Sequence, residues 1–380
     1  MPGFPLLRSI VIILVAGVCT AGLTGCSPAV EAPDRARPSS SQPEKSPASS
    51  SVPAPAPTGE GHTDVRSVAF GRLRGRQVAV TAGAEGRVRI WWLPTLEPAA
   101  DPLPGNRAAV VELDGRSAVF AADRLGGRLW DLDTRRELLH VPAPVSAFAF
   151  GRLRGSPVLF TGDRRGRVKI WDLTSGTLAG SLNTGTDLRI TALASAQAGS
   201  RPILVVAIGN HGDDSGHAQF WDLATRRRTG AALLTGGEAE SFDQLQITPL
   251  DGRPILAAGS MYGLKRWDLE SRYGLGPSIE NRQEDGRLFA FPSFTMAFDG
   301  RRPVLVTGQF SGAPLQLRDP INGSVLAELA VQHQGAVTAL AAGTLDGDQM
   351  LLSGGDDGAV RLWNLRTRKQ IGGPTPSGPS

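Results

Sequence analysis

The residues best suited to chemistry form one short polar run, Gly209-Asn210-His211-Gly212-Asp213-Asp214-Ser215-Gly216-His217. If the run folds back on itself, His211, Asp213, Asp214 and His217 offer imidazole nitrogens and carboxylate oxygens to a divalent ion. Gly, Asp, Ser and Asn are also ordinary turn formers, so the same run reads as a polar recognition loop. It is therefore taken as a candidate partner or ligand loop. Glu238, Glu240 and Asp243 follow in the next connection. The whole chain has five histidines and none of the usual hydrolase, phosphate-loop, zincin or dinucleotide motifs. No catalytic, metal or cofactor-binding residue is assigned, and no cofactor is expected. The two cysteines, Cys19 and Cys26, both precede the folded body. Disulfides, cysteine-bound metal and a cysteine nucleophile are thereby excluded from that body.

The elements that must position these side chains recur along the chain. Ile90-Trp91-Trp92-Leu93 is followed by Leu129-Trp130-Asp131-Leu132, Ile170-Trp171-Asp172-Leu173, Phe220-Trp221-Asp222-Leu223, Arg266-Trp267-Asp268-Leu269, Leu317-Arg318-Asp319-Pro320 and Leu362-Trp363-Asn364-Leu365. Successive units lie 39, 41, 50, 46, 51 and 45 residues apart, and six of the seven tryptophans occupy this one position. Each unit carries alternating apolar runs bounded by glycine turns. Examples are Val68 to Phe70, Val78 to Thr81 and Val168 to Trp171, which predict strands rather than helices. Phe70-Gly71-Arg72-Leu73-Arg74-Gly75 returns as Phe150-Gly151-Arg152-Leu153-Arg154-Gly155, which points to internal duplication.

Spacing and motif together resemble the WD40 family over residues 61–371. The resemblance implies an all-β fold, a seven-bladed β-propeller of four-stranded antiparallel blades. It also implies a structural set of His, Ser or Thr, Asp and Trp in a blade. His333, Ser353, Asp357 and Trp363 match that set fully, while His62, Thr81, Glu85 and Trp91 match it with Glu for Asp. The middle five units lack the initial Gly-His pair, and Arg318 stands where Trp belongs in the sixth. Two segments are open as the last outer strand, Arg368 to Ile371 or the chain before Gly61. The prolines Pro53, Pro55 and Pro57 favour the first.

At the front, Arg8 and the apolar stretch Ile10 to Leu23 lead into Leu23-Thr24-Gly25-Cys26. This resembles a bacterial lipoprotein signal peptide and its lipobox, set against an uncleaved anchor helix or a plain secretory signal. The resemblance implies cleavage of residues 1–25 and a diacylglyceryl group with palmitate-type chains on Cys26. Residues 26–60 are a Pro- and Ser-rich tether, and residues 372–380 a flexible tail. The expected location is the extracytoplasmic side of the cell membrane, by lipid anchor.

Forty Lys and Arg against 36 Asp and Glu leave a formal charge of +4. The arginines cluster at 72, 74 and 76, at 152 and 154, at 164, 165 and 167, and at 226 to 228. Aromatic residues are not interleaved with them, so no nucleic acid partner is expected. The chain is read as a membrane-tethered scaffold whose propeller face loops recognise a protein or cell-envelope partner. An extracytoplasmic propeller enzyme, a metal-assisted hydrolase, is the alternative. A structural part of an envelope assembly is a third reading.

Overall fold

A computed structural model describes residues 61–375, apart from 199–200, 211–215, 235–240, 251, 261–262, 283–287, 290, 301, 311–312 and 331–332. Cys26, the signal and tether readings, and His211, Asp213 and Asp214 lie outside the described residues. Among the described residues every regular element is a strand. The strands form seven antiparallel blades, each made from consecutive chain, and the protein is a seven-bladed β-propeller.

Blade 1 runs Val65–Leu73, Arg76–Gly83, Arg87–Trp92 and Glu97–Pro104. Blade 2 is Arg107–Leu113, Arg116–Ala122, Gly127–Asp131 and Glu137–Val141, and blade 3 is Ala147–Leu153, Ser156–Gly162, Arg167–Asp172 and Thr177–Asn183. Blade 4 has Ile190–Ala198, Arg201–Ile208 and His217–Asp222, with its outer strand split into Arg227–Arg228 and Leu233–Leu234. Blade 5 has Gln244–Leu250, Arg253–Ser260 and Gly263–Asp268, and its outer edge is reduced to bridges at Gly274 and Ile279. Blade 6 is Phe294–Asp299, Arg302–Thr307, Leu315–Arg318 and Val325–Leu329; blade 7 is Val337–Leu345, Asp348–Gly355, Val360–Asn364 and Lys369–Ile371. The last outer strand thus comes from the C-terminal side. Thr375 extends the attachment, donating its N–H to the Val360 carbonyl (3.1 Å) and accepting the Val360 N–H at its hydroxyl (2.9 Å).

Two turn types recur because the backbone demands them. The first hairpins of blades 1, 2, 3 and 7 place Arg74-Gly75, Asp114-Gly115, Arg154-Gly155 and Asp346-Gly347 at positive φ. Two successive left-handed residues match the twist of the flanking strands. After the third strands of blades 2 to 5, the Asp of the Trp-Asp pair caps the turn. Asp131 accepts the Thr134 N–H, Asp172 those of Thr174 and Ser175, Asp222 that of Thr225, and Asp268 those of Glu270 and Ser271. Five residues after each Trp position the chain turns left-handed, at Leu96, Arg135, Gly176, Arg226, Arg272, Gly323 and Arg368. All four of these arginines reach back to the preceding blade: Arg135 to the Asp101 carbonyl (2.6 Å), Arg226 to that of Ala179 (2.9 Å), Arg272 to that of Thr229 (3.0 Å) and Arg368 to the Asp299 carboxylate (3.2 Å).

The hydrophobic core lies between blades. Phe120, Phe148, Leu159 and Trp171 share one cluster across blades 2 and 3; Phe160, Ile190, Leu204 and Trp221 share the next. Each Trp is a wedge in the space toward the preceding blade, where a fully buried large side chain contributes about 1.5–3 kcal/mol. The cluster of Val65, Val68 and Trp91 with Leu352 and Leu362 joins blade 1 to blade 7 and closes the ring.

Inside that ring the starts of the seven inner strands are linked by hydrogen bonds. Ala108 N–H donates to Ser67 Oγ (2.8 Å), Arg107 Nη1 to the Ser146 carbonyl (2.7 Å), and Ser146 Oγ to Ile190 (2.7 Å). Thr191 donates to Phe242 (2.6 Å), Gln244 to Phe294 (2.8 Å), Ser293 to Val337 (2.6 Å) and Thr338 to Val65. Buried carbonyls at blade boundaries find no ladder partner within their own sheet, and these side chains satisfy them.

Candidate binding face

Antiparallel order places the start of each inner strand and the turn between second and third strands at the same end of a blade. This end is called the entry face, and the remaining turns form the far face. The titratable groups of the entry face divide into those spent on the frame and those directed at solvent.

Blade 7 holds the first kind in full. His333 Nε2 lies 2.9 Å from Ser353 Oγ and its Nδ1 lies 3.0 Å from Asp357 Oδ1, while Trp363 Nε1 donates to Ser353 Oγ at 2.9 Å. The order of donation is fixed by valence. The indole has only an N–H, so the hydroxyl accepts it and donates onward to Nε2, leaving Nδ1–H for the carboxylate. Burial raises the Asp357 pKa, but the bond and charge of His333 and the N–H groups of Gln334 and Ala359 carry it below the ordinary carboxylate value. Blade 1 repeats the set with His62 2.6 Å from Thr81 and 2.5 Å from Glu85, and Trp91 2.7 Å from Thr81. Burial likewise raises the Glu85 pKa, and the bond and charge of His62 overcome it to leave the value lowered. Each imidazole is buried and saturated, so these pairs brace blades and offer no free base.

The set thins in the other blades. Blade 3 keeps Trp171 Nε1 on Thr161 Oγ1 (2.9 Å), and blade 4 replaces the hydroxyl by Gln219 (3.2 Å from Trp221). Trp130 Nε1 in blade 2 is buried without a partner. In blade 6 Thr307 stands where Thr81 and Ser353 stand, but Arg318 offers it nothing and its buried hydroxyl is unpartnered among the described residues. Phe291 packs there instead, its ring 5.8 Å from the Arg318 guanidinium.

Of the run from Gly209 to His217, the described Gly209, Asn210 and Gly216 lie between the second and third strands of blade 4, on the entry face, and His211, Asp213 and Asp214 are outside the described residues. His217 is the first residue of the third strand, and its Nε2 lies 3.2 Å from Gln219 Nε2. Among the described residues no group of three or more His, Cys, Asp or Glu is arranged around a common point. The arginine clusters do not form one patch. Arg72, Arg74, Arg76, Arg152, Arg154 and Arg226 to Arg228 belong to the far face, whereas Arg164, Arg165 and Arg167 belong to the entry face. Sequence reading passed over Arg66, Arg107 and Arg189, each placed just before or at the start of an inner strand. Their shared position ahead of an apolar run was the signal available.

Arg266 was also missed. It occupies the position before Trp267 that is apolar in other blades and is 2% exposed. Its guanidinium donates to the carbonyls of Pro320 (3.1 Å), Pro277 (2.9 Å), Leu275 (2.9 Å) and Ile321 (2.7 Å). Burial pushes its pKa down to about 10. One side chain thus collects carbonyls from the irregular outer edge of blade 5 and from the turn after the third strand of blade 6.

Comparison with known proteins agrees with this geometry. Residues 324–364 match the family "WD domain, G-beta repeat". The blade 7 set lies inside the matched segment. That segment begins at the outer strand of blade 6 and ends with the third strand of blade 7. The chain is 24% identical over 161 residues to ribosome biogenesis protein YTM1 of Yarrowia lipolytica, covering 39% of this chain and 30% of that protein. It is 25% identical over 221 residues to autophagy-related protein 16 of Arabidopsis thaliana, covering 57% and 38%. The chain therefore spans well under half the length of these curated relatives. Among solved structures it is similar to the computationally designed Ika8 protein, with a TM-score of 0.52 and 20% identity over 80% of this chain and 98% of that one. That likeness is one of fold.

Proposed function

We propose that this protein is a binding scaffold that holds a protein partner on one propeller face. The observation that supports the reading is the division of labour among polar groups. Buried histidines, hydroxyls and carboxylates are consumed in bracing blades, while charged turn residues such as Arg164 and Arg165 remain exposed on a closed, rigid frame. Rigid frames with variable turns suit recognition, because the turns vary without moving the strands that carry them. Similarity to relatives with roles as different as ribosome biogenesis and autophagy fits a frame reused for different partners. We further propose that Cys26 carries a lipid that keeps the scaffold on the extracytoplasmic side of the membrane, with a protein or envelope component as its target.

Photo-crosslinking in intact cells tests both parts. A crosslinker at Leu125 on the entry face or at Arg74 on the far face should capture a discrete partner at one of them. Failure at both, with the protein folded and present, overturns the scaffold reading. Cys26→Ala should release the protein from membranes or leave an uncleaved precursor, and mass spectrometry of the native N-terminus should find diacylglyceryl-cysteine. Unmodified chain beginning elsewhere overturns the anchor.

A further inference from the structure

The entry face carries a basic corner at its centre, built from four different blades. Arg107 of blade 2 anchors it, with its guanidinium bonded to the Ser146 and Val145 carbonyls of blade 3. Burial first, and then the charges of Arg189, Arg66 and Arg164, lower the Arg107 pKa to about 10, with Asp123 opposing. Arg66 comes from the start of the blade 1 inner strand and Arg189 from just before that of blade 4. Arg164 reaches in from the second turn of blade 3 and depresses Arg189 as well. Like charges drawn together at a cost are held there by the frame and not by mutual attraction.

Nearby acids offset part of this charge. Asp64 faces Arg66 at 3.4 Å. Asp123 caps the Leu125 and Gly126 N–H groups, and Asp163 caps those of Arg165 and Arg167. Asp243 opposes Arg189 electrostatically and accepts from Ser241 (3.1 Å). Meanwhile Arg189 Nε is buried and has no hydrogen-bond partner among the described residues, and Arg164 is exposed. The exposed Arg164 guanidinium is what an incoming carboxylate or phosphate would meet.

A second feature separates those two ligands. Asp123 also lines a cleft of about 180 Å³ between the outer end of blade 1 and blade 2, bounded by Pro104, Ala121, Leu125, Arg128 and His140. Leu125 at its edge is 83% exposed, the most exposed of the large apolar residues. An apolar wall beside a basic corner suits a chain that carries both carboxylates and an aliphatic or aromatic side chain. A phosphate polymer has nothing to place there.

We infer that the corner formed by Arg66, Arg107, Arg164 and Arg189, with the adjoining cleft at Leu125, docks an acidic peptide segment of a protein partner, its carboxylates on the arginines and one apolar side chain in the cleft. This rests on the scaffold reading and gives it a place and a ligand chemistry.

Fluorescence anisotropy with a labelled peptide of alternating glutamate and leucine provides the test, with an all-glutamate peptide and inorganic polyphosphate as competitors. The exposed Arg164 is the variant of choice, since reversing it disturbs no packing. Arg164→Glu should weaken binding about tenfold and Arg189→Gln about fivefold at unchanged melting temperature, while Leu125→Ser should weaken only the leucine-bearing peptide. Raising salt from about 0.05 to 0.3 M should weaken binding as the reversal does. No peptide binding by the wild-type chain, or equal binding by all three variants, overturns the inference. Polyphosphate that outcompetes the peptide and is indifferent to Leu125 reassigns the corner to phosphate polymers and overturns it too. Capture of a partner by crosslinking despite any of these results would leave the scaffold reading standing with its site elsewhere.

Discussion

Blades 6 and 7 are neighbours with the same four-strand plan, yet they solve the same packing problem differently. Blade 7 fills its wedge position with Trp363 and ties the indole through Ser353 and His333 to Asp357. Blade 6 fills it with Arg318, whose Nη1 bonds the Gly323 carbonyl at 2.9 Å, and leaves the Thr307 hydroxyl stranded. At the interface of blades 5 and 6, Phe291 and the buried Arg266 take over what an indole does elsewhere. Closure of the ring therefore requires a filled wedge and satisfied carbonyls at each interface, and does not require the same residues. The polar set is a local reinforcement placed on the two blades that flank the chain ends.

This contrast is open to direct attack. The largest effect should come from Trp171→Ala, which empties the wedge between blades 2 and 3 and should cost about 3–5 kcal/mol in urea unfolding. Trp92→Ala should cost much less, because Trp92 is only partly buried and stacks under Arg76 at 4.1 Å. Next, Arg266→Leu should cost about 3 kcal/mol despite gaining apolar surface, because several buried carbonyls lose their donor at once. A neutral or stabilising outcome would show that blade 5 closes without it.

Smaller still is the difference between two hydroxyls. Ser353→Ala strands an indole N–H and an imidazole and should cost about 2 kcal/mol, whereas Thr307→Val removes a hydroxyl that has no partner and should stabilise by up to about 1 kcal/mol. Equal losses in parallel thermal melts would erase the distinction between blades. The smallest effect is on pH. Glu85 and Asp357 bind protons less readily folded than unfolded. Their contribution is therefore intact above the unfolded carboxylate range near pH 4 and is lost as pH falls through their lower folded values. Melting temperature should be flat from about pH 7 to 5 and fall below that, and Asp357→Asn should make the decline shallower.

Much of the fold was legible because the Trp-Asp pair does two jobs with fixed residue types. The indole must wedge between sheets and the carboxylate must cap a turn, so both survive as a countable signal. The inner ring of hydrogen bonds was not legible. Ser67, Arg107, Ser146, Thr191, Gln244, Ser293 and Thr338 perform one task with four residue types, and only the spatial closing of the chain aligns them. Arg226 misled in the opposite direction. Beside Arg227 and Arg228 it reads as a solvated turn residue, but its left-handed backbone aims it at the Ala179 carbonyl of the preceding blade. The basic corner was hidden for a related reason, since its four arginines are dispersed over more than 120 residues and meet only because blades 1 to 4 are consecutive around the ring.

Because every blade is built from consecutive chain, six of the seven interfaces are crossed by a peptide connection and the one between blades 7 and 1 is not. That seam is held by the shared cluster around Trp91 and Leu352, by Thr338 on the Val65 carbonyl and by Gln77 on Thr344 (2.9 Å). It is also where both ends of the ring lie, since a Cβ added at Gly358 of blade 7 would sit 1.9 Å from the His62 carbonyl and Thr375 is bonded to Val360. The molecule is thus a circle with a single covalent nick. Joining Thr375 to Gly61 through a short linker and reopening the chain between two other blades leaves every sheet whole, so circular permutants cut between blades should fold. Mechanical load applied between the two ends meets no backbone across the nick. Under such load the ring parts there first, as a horseshoe of intact blades.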